Sequence, residues 1–150
     1  MIFGRTSCSA RLGVLGGIAV AGMAVTALAQ GSQQVATPGL TQANIARGQL
    51  MEFPGTDAIT FTGEFAPSAT PGPHRHPGTE FLHVISGEGV LLQEGLDPVR
   101  LKPGMTVVSE PDTPGGSFVH EVRNTSPTEP LRTYIVLLVD EGEPPALPAT

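Results

Sequence analysis

Four residues of this 150-residue chain have the types and spacing expected of ligands for one divalent metal ion: His74, His76, Glu80 and His120. The first three fall in the segment 74–80, and His120 follows in a second short segment. Imidazoles suit iron, nickel, copper and zinc, and a carboxylate also suits manganese. This donor set leaves all five ions open; iron or manganese is the expected cofactor, with nickel, copper and zinc as alternatives.

Strand geometry explains how these side chains can reach a common point. Successive side chains on a β-strand point to opposite faces, so His74 and His76 share one face. Pro77-Gly78 is expected to bend the backbone, after which Glu80 returns to the same face. The segment around His120 is expected to form a neighbouring strand. His83 has the opposite parity from Glu80, so we exclude it as a ligand and expect it on the outer side.

Three other polar residues in or near these segments are assigned structural roles. Arg75 lies between two ligands on the opposite face and is expected to be solvated rather than to bind substrate. Asn124 shares its parity with His120 and is expected to support a turn or to hydrogen-bond a ligand. Tyr134, the only tyrosine, is expected to pack.

After residue 50 the chain is a succession of short apolar runs, none of which has a convincing helical period. The 15 prolines and 19 glycines supply the tight connections that such runs need. This pattern predicts an all-β fold, either an antiparallel sandwich or a small barrel. Leu131–Val139 is the most apolar run and is expected to be a central strand covered on both faces. The remaining predicted strands are Ile59–Phe65, Phe81–Ile85, Val90–Gln93, Val99–Leu101, Met105–Ser109 and Phe118–Arg123.

The N-terminal segment 1–29 has the pattern of a secretory signal peptide. Arg5 and Arg11 give a positive start, and the uncharged stretch that follows ends in Ala27-Leu28-Ala29, an A-x-A cleavage pattern. An uncleaved anchor helix is the alternative, since the apolar stretch is just long enough to span a bilayer. Cleavage after Ala29 predicts a periplasmic or secreted protein.

The rest of the chain divides into three parts. Residues 30–52 are polar and are expected to form a loosely packed arm, which could exchange with a second copy in a homodimer. Residues 53–140 are expected to form the domain, and residues 141–150 a Pro-rich extended tail.

Charge and cysteine content narrow the classes of partner. The formal net charge is −6, and removing residues 1–29 with their two arginines would leave −8. A negative domain without basic clusters cannot neutralise phosphates, which excludes nucleic acid and disfavours an anionic membrane surface. The only cysteine, Cys8, lies in the predicted signal peptide, so the mature chain would have no thiol or disulfide. A small-molecule substrate is the expected partner.

With these residues identified, the chain resembles the cupin family. The family's first motif, G-x5-H-x-H-x3,4-E-x6-G, is matched from its first histidine onward by His74, His76, Glu80 and Gly87. The second motif, G-x5-P-x-G-x2-H-x3-N, is met by Gly104, Pro114, Gly116, His120 and Asn124. The resemblance covers about residues 55–140 and implies a single jelly-roll β-barrel with His74, His76, Glu80 and His120 as metal ligands.

Two departures from the motifs lie in loops. Ser68 occupies the position where the first motif opens with glycine. In the second motif, the spacings between Gly104 and Pro114 and between Gly116 and His120 are longer than in the family pattern. These differences concern the rim of the site and leave the ligand positions unchanged.

The resemblance implies several activities, because cupins share ligands and differ in pocket lining. The leading hypothesis is an exported metal-dependent enzyme, a small-molecule dioxygenase resembling the quercetin-type cupins, in which Glu80 serves as ligand and as catalytic proton acceptor. Isomerase, decarboxylase and lyase activities are alternatives within the same family. A non-catalytic module that binds a metal or a small ligand is the alternative from a different class.

Overall fold

The computed structural model describes residues 36–113 and 116–149. The predicted signal peptide and Cys8 lie outside the described residues, as do Pro114 and Gly115 of the second motif. Throughout the described part the regular structure is β-strand, as the alternating sequence pattern predicts. No helix there is long and apolar enough to cross a membrane.

The strands form two antiparallel sheets. A six-stranded sheet has the order β1-β2-β3-β10-β5-β8, and a five-stranded sheet has the order β11-β4-β9-β6-β7. The strands are β1 (Ala36–Thr37), β2 (Leu40–Gln49), β3 (Thr56–Phe65), β4 (His74–His76), β5 (Gly78–Ser86), β6 (Gly89–Gln93), β7 (Val99–Leu101), β8 (Thr106–Ser109), β9 (Phe118–Asn124), β10 (Leu131–Asp140) and β11 (Leu147–Pro148).

The two sheets bury their facing sides against each other. Strand β3 alternates buried with more exposed residues along its whole length, and β10 does the same. This period of two places one side chain in two in the interior. The largest fully buried apolar side chains come from both sheets: Ile59, Leu82, Leu101, Leu131 and Leu137. Among the described residues no strand of one sheet pairs with a strand of the other, so the architecture is a two-sheet sandwich rather than a closed barrel.

The structure corrects two expectations about individual segments. The expected loose arm contains β2, whose residues Leu40–Gln49 pair with β3 from Leu40↔Phe65 to Gln49↔Asp57. The segment was missed because a polar strand lacks the apolar alternation that reveals a half-buried one. Strand β10 is central, between β3 and β5, but only one of its faces is covered, and Tyr134 is partly exposed on the other.

The C-terminal tail also joins the sandwich. Its last described residues form β11, which pairs with β4 through Leu147↔Arg75 and Pro148↔His74. Strand β4, which carries two of the predicted ligands, is therefore flanked by β9 on one side and by the tail on the other.

Candidate metal centre

The three histidines of the predicted site come from two adjacent strands of the five-stranded sheet. Strands β4 and β9 pair antiparallel with His74 directly opposite His120 and His76 opposite Phe118. Residues facing each other across such a pair have Cβ atoms roughly 5 Å apart. Alternation along β4 then brings His76 to the same face as His74.

Glu80 reaches the same region from the opposite sheet. It lies on β5 in the six-stranded sheet, where it pairs with Leu137 and Ser109. We expected all four residues on two neighbouring strands, and this was wrong for Glu80. Parity along the chain predicts which face a residue takes, but it does not reveal that Pro77-Gly78 carries the chain from one sheet to the other.

Gly78 is the residue that permits this crossing. Its φ is 141°, in a region that side chains rarely adopt, and a Cβ there would lie 2.1 Å from the Leu138 carbonyl oxygen. Only glycine allows β5 to approach β10 this closely so soon after β4. Two residues later, Glu80 faces the histidines.

The imidazoles converge through their Nε2 atoms. His74 Nε2 lies 3.2 Å from His76 Nε2 and 3.0 Å from His120 Nε2. The ring centroids are separated by 4.6–4.8 Å, and each ring offers one nitrogen to a group whose ligand atoms all lie within 4.8 Å of one another. The three rings therefore surround one common point.

The donor set fits a first-row transition metal at that point. Two nitrogens each about 2.1 Å from a metal and separated by an angle of about 90–110° lie about 3.0–3.4 Å apart. The Nε2 separations fall at or near this range. Neutral imidazole nitrogens that carry no hydrogen repel one another at such distances, because each presents a lone pair. A cation between them removes the repulsion.

Each ring also has an acceptor near its other nitrogen, Nδ1. The Gly72 carbonyl oxygen is 3.5 Å from His74 Nδ1, a long contact, and the Pro145 carbonyl oxygen accepts a hydrogen bond from His76 Nδ1. His120 Nδ1 lies 3.3 Å from Glu80 Oε2. Acceptors in these positions favour a proton on Nδ1 and leave the Nε2 lone pair facing the common point.

Glu80 stands beside the three-histidine group and completes a polar cluster in the interior. Its Oε1 is 3.9 Å from His76 Nε2, while Oε2 faces His120 Nδ1. Glu80 Oε2 and His120 Nδ1 are buried and have no well-formed hydrogen bond among the described residues. The carboxylate thus has two available roles, as fourth ligand through Oε1 or as acceptor for His120 through Oε2. Its assignment as a ligand stays a prediction.

Burial controls the charge state of the cluster. Desolvation lowers the pKa of His76 to about 4, with a further contribution from the positive charge of His74, and it lowers the pKa of His120 to about 2. The pKa of His74 is also lowered, chiefly by burial. Neutral imidazoles are the form that binds metal. Burial raises the pKa of Glu80 to about 8, because a lone carboxylate in the interior is costly without a cation nearby.

The other polar residues singled out in the sequence lie away from the common point. His83 is on the outer side of β5, and its Nδ1 is 3.0 Å from Thr106 Oγ1. Asn124 supports the turn after β9: its Nδ2 contacts three carbonyl oxygens, and Ser126 N donates to its Oδ1 at 2.9 Å. Arg75 is half-buried rather than solvated, and its Nε has no hydrogen-bond partner among the described residues.

Two residues of the site were missed in the sequence. Phe118 is buried, and its ring centroid lies 5.7 Å from that of His76 and 5.2 Å from that of His120. It sits two residues before His120 on the same strand, so parity could have identified it. Pro145 contributes a main-chain carbonyl, and no sequence pattern marks such a group.

Comparisons with known proteins agree with this architecture. A family model described as the cupin domain matches residues 61–137, which include the four predicted ligand positions. No curated protein matches the chain.

Several solved structures share the fold at low sequence identity. An uncharacterised protein with a double-stranded β-helix domain from Klebsiella pneumoniae is 21% identical with a TM-score of 0.58, covering 77% of this chain and 90% of the other. A predicted oxalate decarboxylase from Thermotoga maritima is 18% identical with a TM-score of 0.54, covering 73% and 91%. A DMSP lyase from Ruegeria pomeroyi is 22% identical with a TM-score of 0.51, covering 61% of this chain and 43% of the lyase.

These likenesses concern the fold, and the family model spans half of the chain. Together with the histidines that converge from β4 and β9, they lead to one conclusion. The chain belongs to the cupin family.

Proposed function

We propose that this protein binds one divalent first-row transition metal through His74, His76 and His120, with Glu80 as the fourth ligand. The observation that supports this most strongly is the convergence of the three Nε2 atoms on one buried point. Iron or manganese is the proposed cofactor, with nickel, copper or zinc as alternatives, because nitrogen ligands accept several of these ions and the carboxylate adds a hard oxygen ligand.

We further propose that the metal serves catalysis on a small molecule, with dioxygenase-like chemistry as the leading reaction. When bound, such a metal supplies Lewis-acid activation of a chelating oxygen and, if redox-active, a site for O2 chemistry. Phe118 lines the site beside His76 and His120 with an apolar ring.

Glu80 is the proposed proton acceptor. Its carboxylate lies within the buried cluster, with Oε1 3.9 Å from His76 Nε2 and Oε2 3.3 Å from His120 Nδ1, so a substrate bound at the common point would lie beside it. In the alternative in which Oε2 accepts from His120 Nδ1, Glu80 acts as an orienting group instead. Substrate would approach from the side of His74, the most exposed of the four residues.

The enzyme proposal is tested by turnover of the metal-loaded protein. Chelating phenols and diketones are assayed for O2 uptake in air and for turnover under anaerobic conditions. Oxalate is assayed for CO2 release. Glu80→Gln is expected to lower the rate of any reaction found by roughly 100-fold, the usual range for a general base. Glu64→Gln, at an exposed position on β3, is the matched control. The absence of O2 uptake across the panel would contradict the dioxygenase version.

A non-catalytic metal-binding module is the alternative function, and one observation favours it. His76, Glu80 and His120 are each only 1–2% exposed, which suits retention of an ion better than access by a large substrate. Tight metal binding by the wild type without turnover of any substrate would support the module. A reaction that depends on His76 would support the enzyme.

Export to the periplasm or outside the cell is proposed from residues 1–29 alone. Expression of the full chain in a bacterial host, followed by N-terminal sequencing of the purified protein, tests it. A mature chain that begins at Gln30 is expected. A chain that begins at Met1 and remains in the membrane fraction would support the uncleaved anchor.

A second copy of the chain is the proposed macromolecular partner. The outer face of the six-stranded sheet exposes Phe81, Val108 and Tyr134, with Val136 beside Phe81 in the strand register. Contiguous apolar surface of this kind marks interaction sites. Light scattering is expected to give a dimer for the wild type and a monomer for Phe81→Glu. A monomeric wild type would contradict the proposal.

A further inference from the structure

We propose that the C-terminal segment 141–149 is a positioning strap for the metal site, which fixes the orientation and tautomer of His76 through the Pro145 carbonyl and is anchored by Arg47 and Asp57. Its consequence for metal affinity rests on the proposed metal-binding function. The contacts that support it lie within the chain and need no metal. It assigns a role to a part of the chain that lies beyond the matched cupin domain, which ends at residue 137.

The strap is anchored where it leaves β10. Glu141 N donates to the Gly55 carbonyl oxygen at 2.9 Å, and Gly142 N donates to Asp57 Oδ2 at 3.1 Å. The same carboxylate oxygen accepts from Arg47 Nη1 at 2.8 Å. Arg47 then reaches the strap itself, because its Nη2 donates to the Glu143 carbonyl oxygen.

Asp57 is suited to this anchoring role because it is buried. Only 4% of the residue is exposed, and a buried carboxylate must be satisfied by charged or main-chain donors. It receives both here, from Arg47 and from the Gly142 amide. The anchor therefore links the N-terminal strands β2 and β3 to the start of the strap.

The other end of the strap is held by β4. Strand β11 pairs antiparallel with β4, so that Leu147 lies opposite Arg75 and Pro148 opposite His74. Without β11, the three-residue strand β4 would form the edge of its sheet. Short edge strands held on one side only are prone to local opening.

Between these two attachments, Pro145 accepts a hydrogen bond from His76 Nδ1. Pro144 and Pro145 have fixed φ angles and no N–H, so this part of the strap is stiff and cannot pair as a regular strand. Its carbonyl is directed at the imidazole instead. Because the proton is then held on Nδ1, the Nε2 lone pair of His76 faces the other two histidines.

The groups that face the Nδ1 atoms of the three histidines come from different parts of the chain, and only the one facing His76 comes from the strap. The acceptor for His74 is the nearby Gly72 carbonyl, and the group facing His120 Nδ1 is Glu80 of the opposite sheet. Only His76 depends on the C-terminal segment, from a position 69 residues away in the chain. Loss of the Pro145 carbonyl should thus act on His76 selectively, whereas loss of β11 would loosen the whole of β4, which also carries His74.

A truncation with a matched control tests the inference. A variant that ends at Glu143 keeps the anchor and loses both Pro145 and β11, while a variant that ends at Pro148 keeps both. Affinity for Zn(II) is measured by competition with a chromophoric chelator. The first variant is expected to bind 10–100-fold more weakly, the usual effect of removing a partner that orients a ligand, and the second is expected to match the full chain.

The tautomer of His76 supplies a readout that needs no metal. Long-range 1H–15N spectra of the metal-free protein, with the signal assigned from His76→Gln, are expected to show the Nδ1–H form in the full chain. The chain that ends at Glu143 is expected to lose this preference. A tautomer unchanged by truncation would overturn the inference, whether or not the affinity falls. A full chain that binds no Zn(II) but whose tautomer still depends on the strap would sustain it while refuting the proposed function.

The anchor is tested separately with two arginine variants. Arg47→Ala removes the contacts to Asp57 and to Glu143, and Arg132→Ala removes a comparable but exposed contact to Glu64. Arg47→Ala is expected to weaken Zn(II) binding by about 3–10-fold, less than deletion of the orienting partner itself, and Arg132→Ala is expected to leave it unchanged. Equal affinities in the two variants would show that Arg47 has no part in the strap.

Discussion

The two faces of strand β5 show how one segment serves opposite purposes. Glu80, Leu82 and Val84 point into the sandwich and are at most 1% exposed, whereas Phe81 and Ile85 point outward and are 37% and 51% exposed. The chain alternates between these environments with every residue, because successive side chains of a strand point to opposite sides. A polar side chain therefore meets either water or the interior depending on its parity.

The histidines of this protein make the consequence clear. His83 lies on the outer face, where a contact with Thr106 satisfies it. His76 and His120 face inward, where burial keeps them neutral by lowering the pKa of each. An interior cluster of neutral imidazoles beside a carboxyl group is costly unless a cation binds it. The same side chain is therefore a surface group on one face and a proposed metal ligand on the other.

The largest expected difference between the faces is in metal affinity. His120→Ala removes a proposed ligand on the inner face and is expected to lower Zn(II) affinity by more than about 100-fold, beyond the usual effect of losing an orienting partner. His83→Ala changes the outer face and is expected to leave the affinity unchanged. Competition titrations of both variants check this. A comparable loss in His83→Ala would break the distinction between the faces.

Truncation of apolar side chains on the same strand should separate the faces in stability. Leu82→Ala leaves a cavity in the interior and is expected to lower the free energy of unfolding by about 3 kcal/mol. Ile85→Ala, on the outer face of the same strand and outside the proposed dimer surface, is expected to cost about 1 kcal/mol or less. Urea unfolding of the metal-free proteins measures both, and equal losses would contradict the assignment of inner and outer faces.

The inner carboxyl group of Glu80 should make the free energy of unfolding of the metal-free protein depend on pH. The folded pKa of Glu80 is about 8, above its ordinary value, so between roughly pH 4.5 and 8 the folded state holds a proton that the unfolded state has released. Its stabilising contribution is complete below this window and is lost as pH rises through it, with a slope of at most about 1.4 kcal/mol per pH unit.

The buried histidines act in the opposite direction. The pKa of His76 is lowered to about 4, so its contribution is complete above pH 6.5 and is lost as pH falls toward 4. The two windows overlap between about pH 4.5 and 6.5, where His76 and His120 together outweigh Glu80. Thermal unfolding in the presence of a chelator is therefore expected to give a maximum near pH 6.5, with an alkaline limb from there to about pH 8. Glu80→Gln should flatten the alkaline limb, and Glu64→Gln, on the surface, should not. An alkaline limb that persists in Glu80→Gln would refute this origin.

The smallest expected effect is on the outer face itself. Thr106→Val removes the hydroxyl that contacts His83 Nδ1 and is expected to change the free energy of unfolding by no more than about 0.5 kcal/mol, as for most surface substitutions. Zn(II) affinity should remain at the wild-type value. A measurable change in affinity would mean that the two faces are coupled through β5.

Much of this architecture could be predicted from the alternation of residue types. Seven apolar runs lie within or closely overlap observed strands, because half-buried strands leave a period-two pattern in the sequence. Parity also grouped His74 with His76 and separated His83 from them. The second segment placed His120 on an adjacent strand, where it faces His74 directly.

The remainder depends on information that parity does not contain. Strand β2 is too polar to reveal itself, and the outer face of β10 is apolar without being covered by this chain. The turn at Gly78 decides that Glu80 belongs to the opposite sheet, since its φ and its approach to Leu138 set the crossing. The Pro145 carbonyl is a main-chain group whose position depends on the whole fold.

Metal content of the purified protein tests the central claim most directly. The full chain, loaded with Mn(II), Fe(II) or Zn(II) and freed of excess ion by gel filtration, is expected to retain one equivalent of metal in elemental analysis. The double variant His74→Ala/His76→Ala, folded as judged by circular dichroism, is expected to retain none. A wild type that retains no metal, or a double variant that still retains one equivalent, would contradict the account.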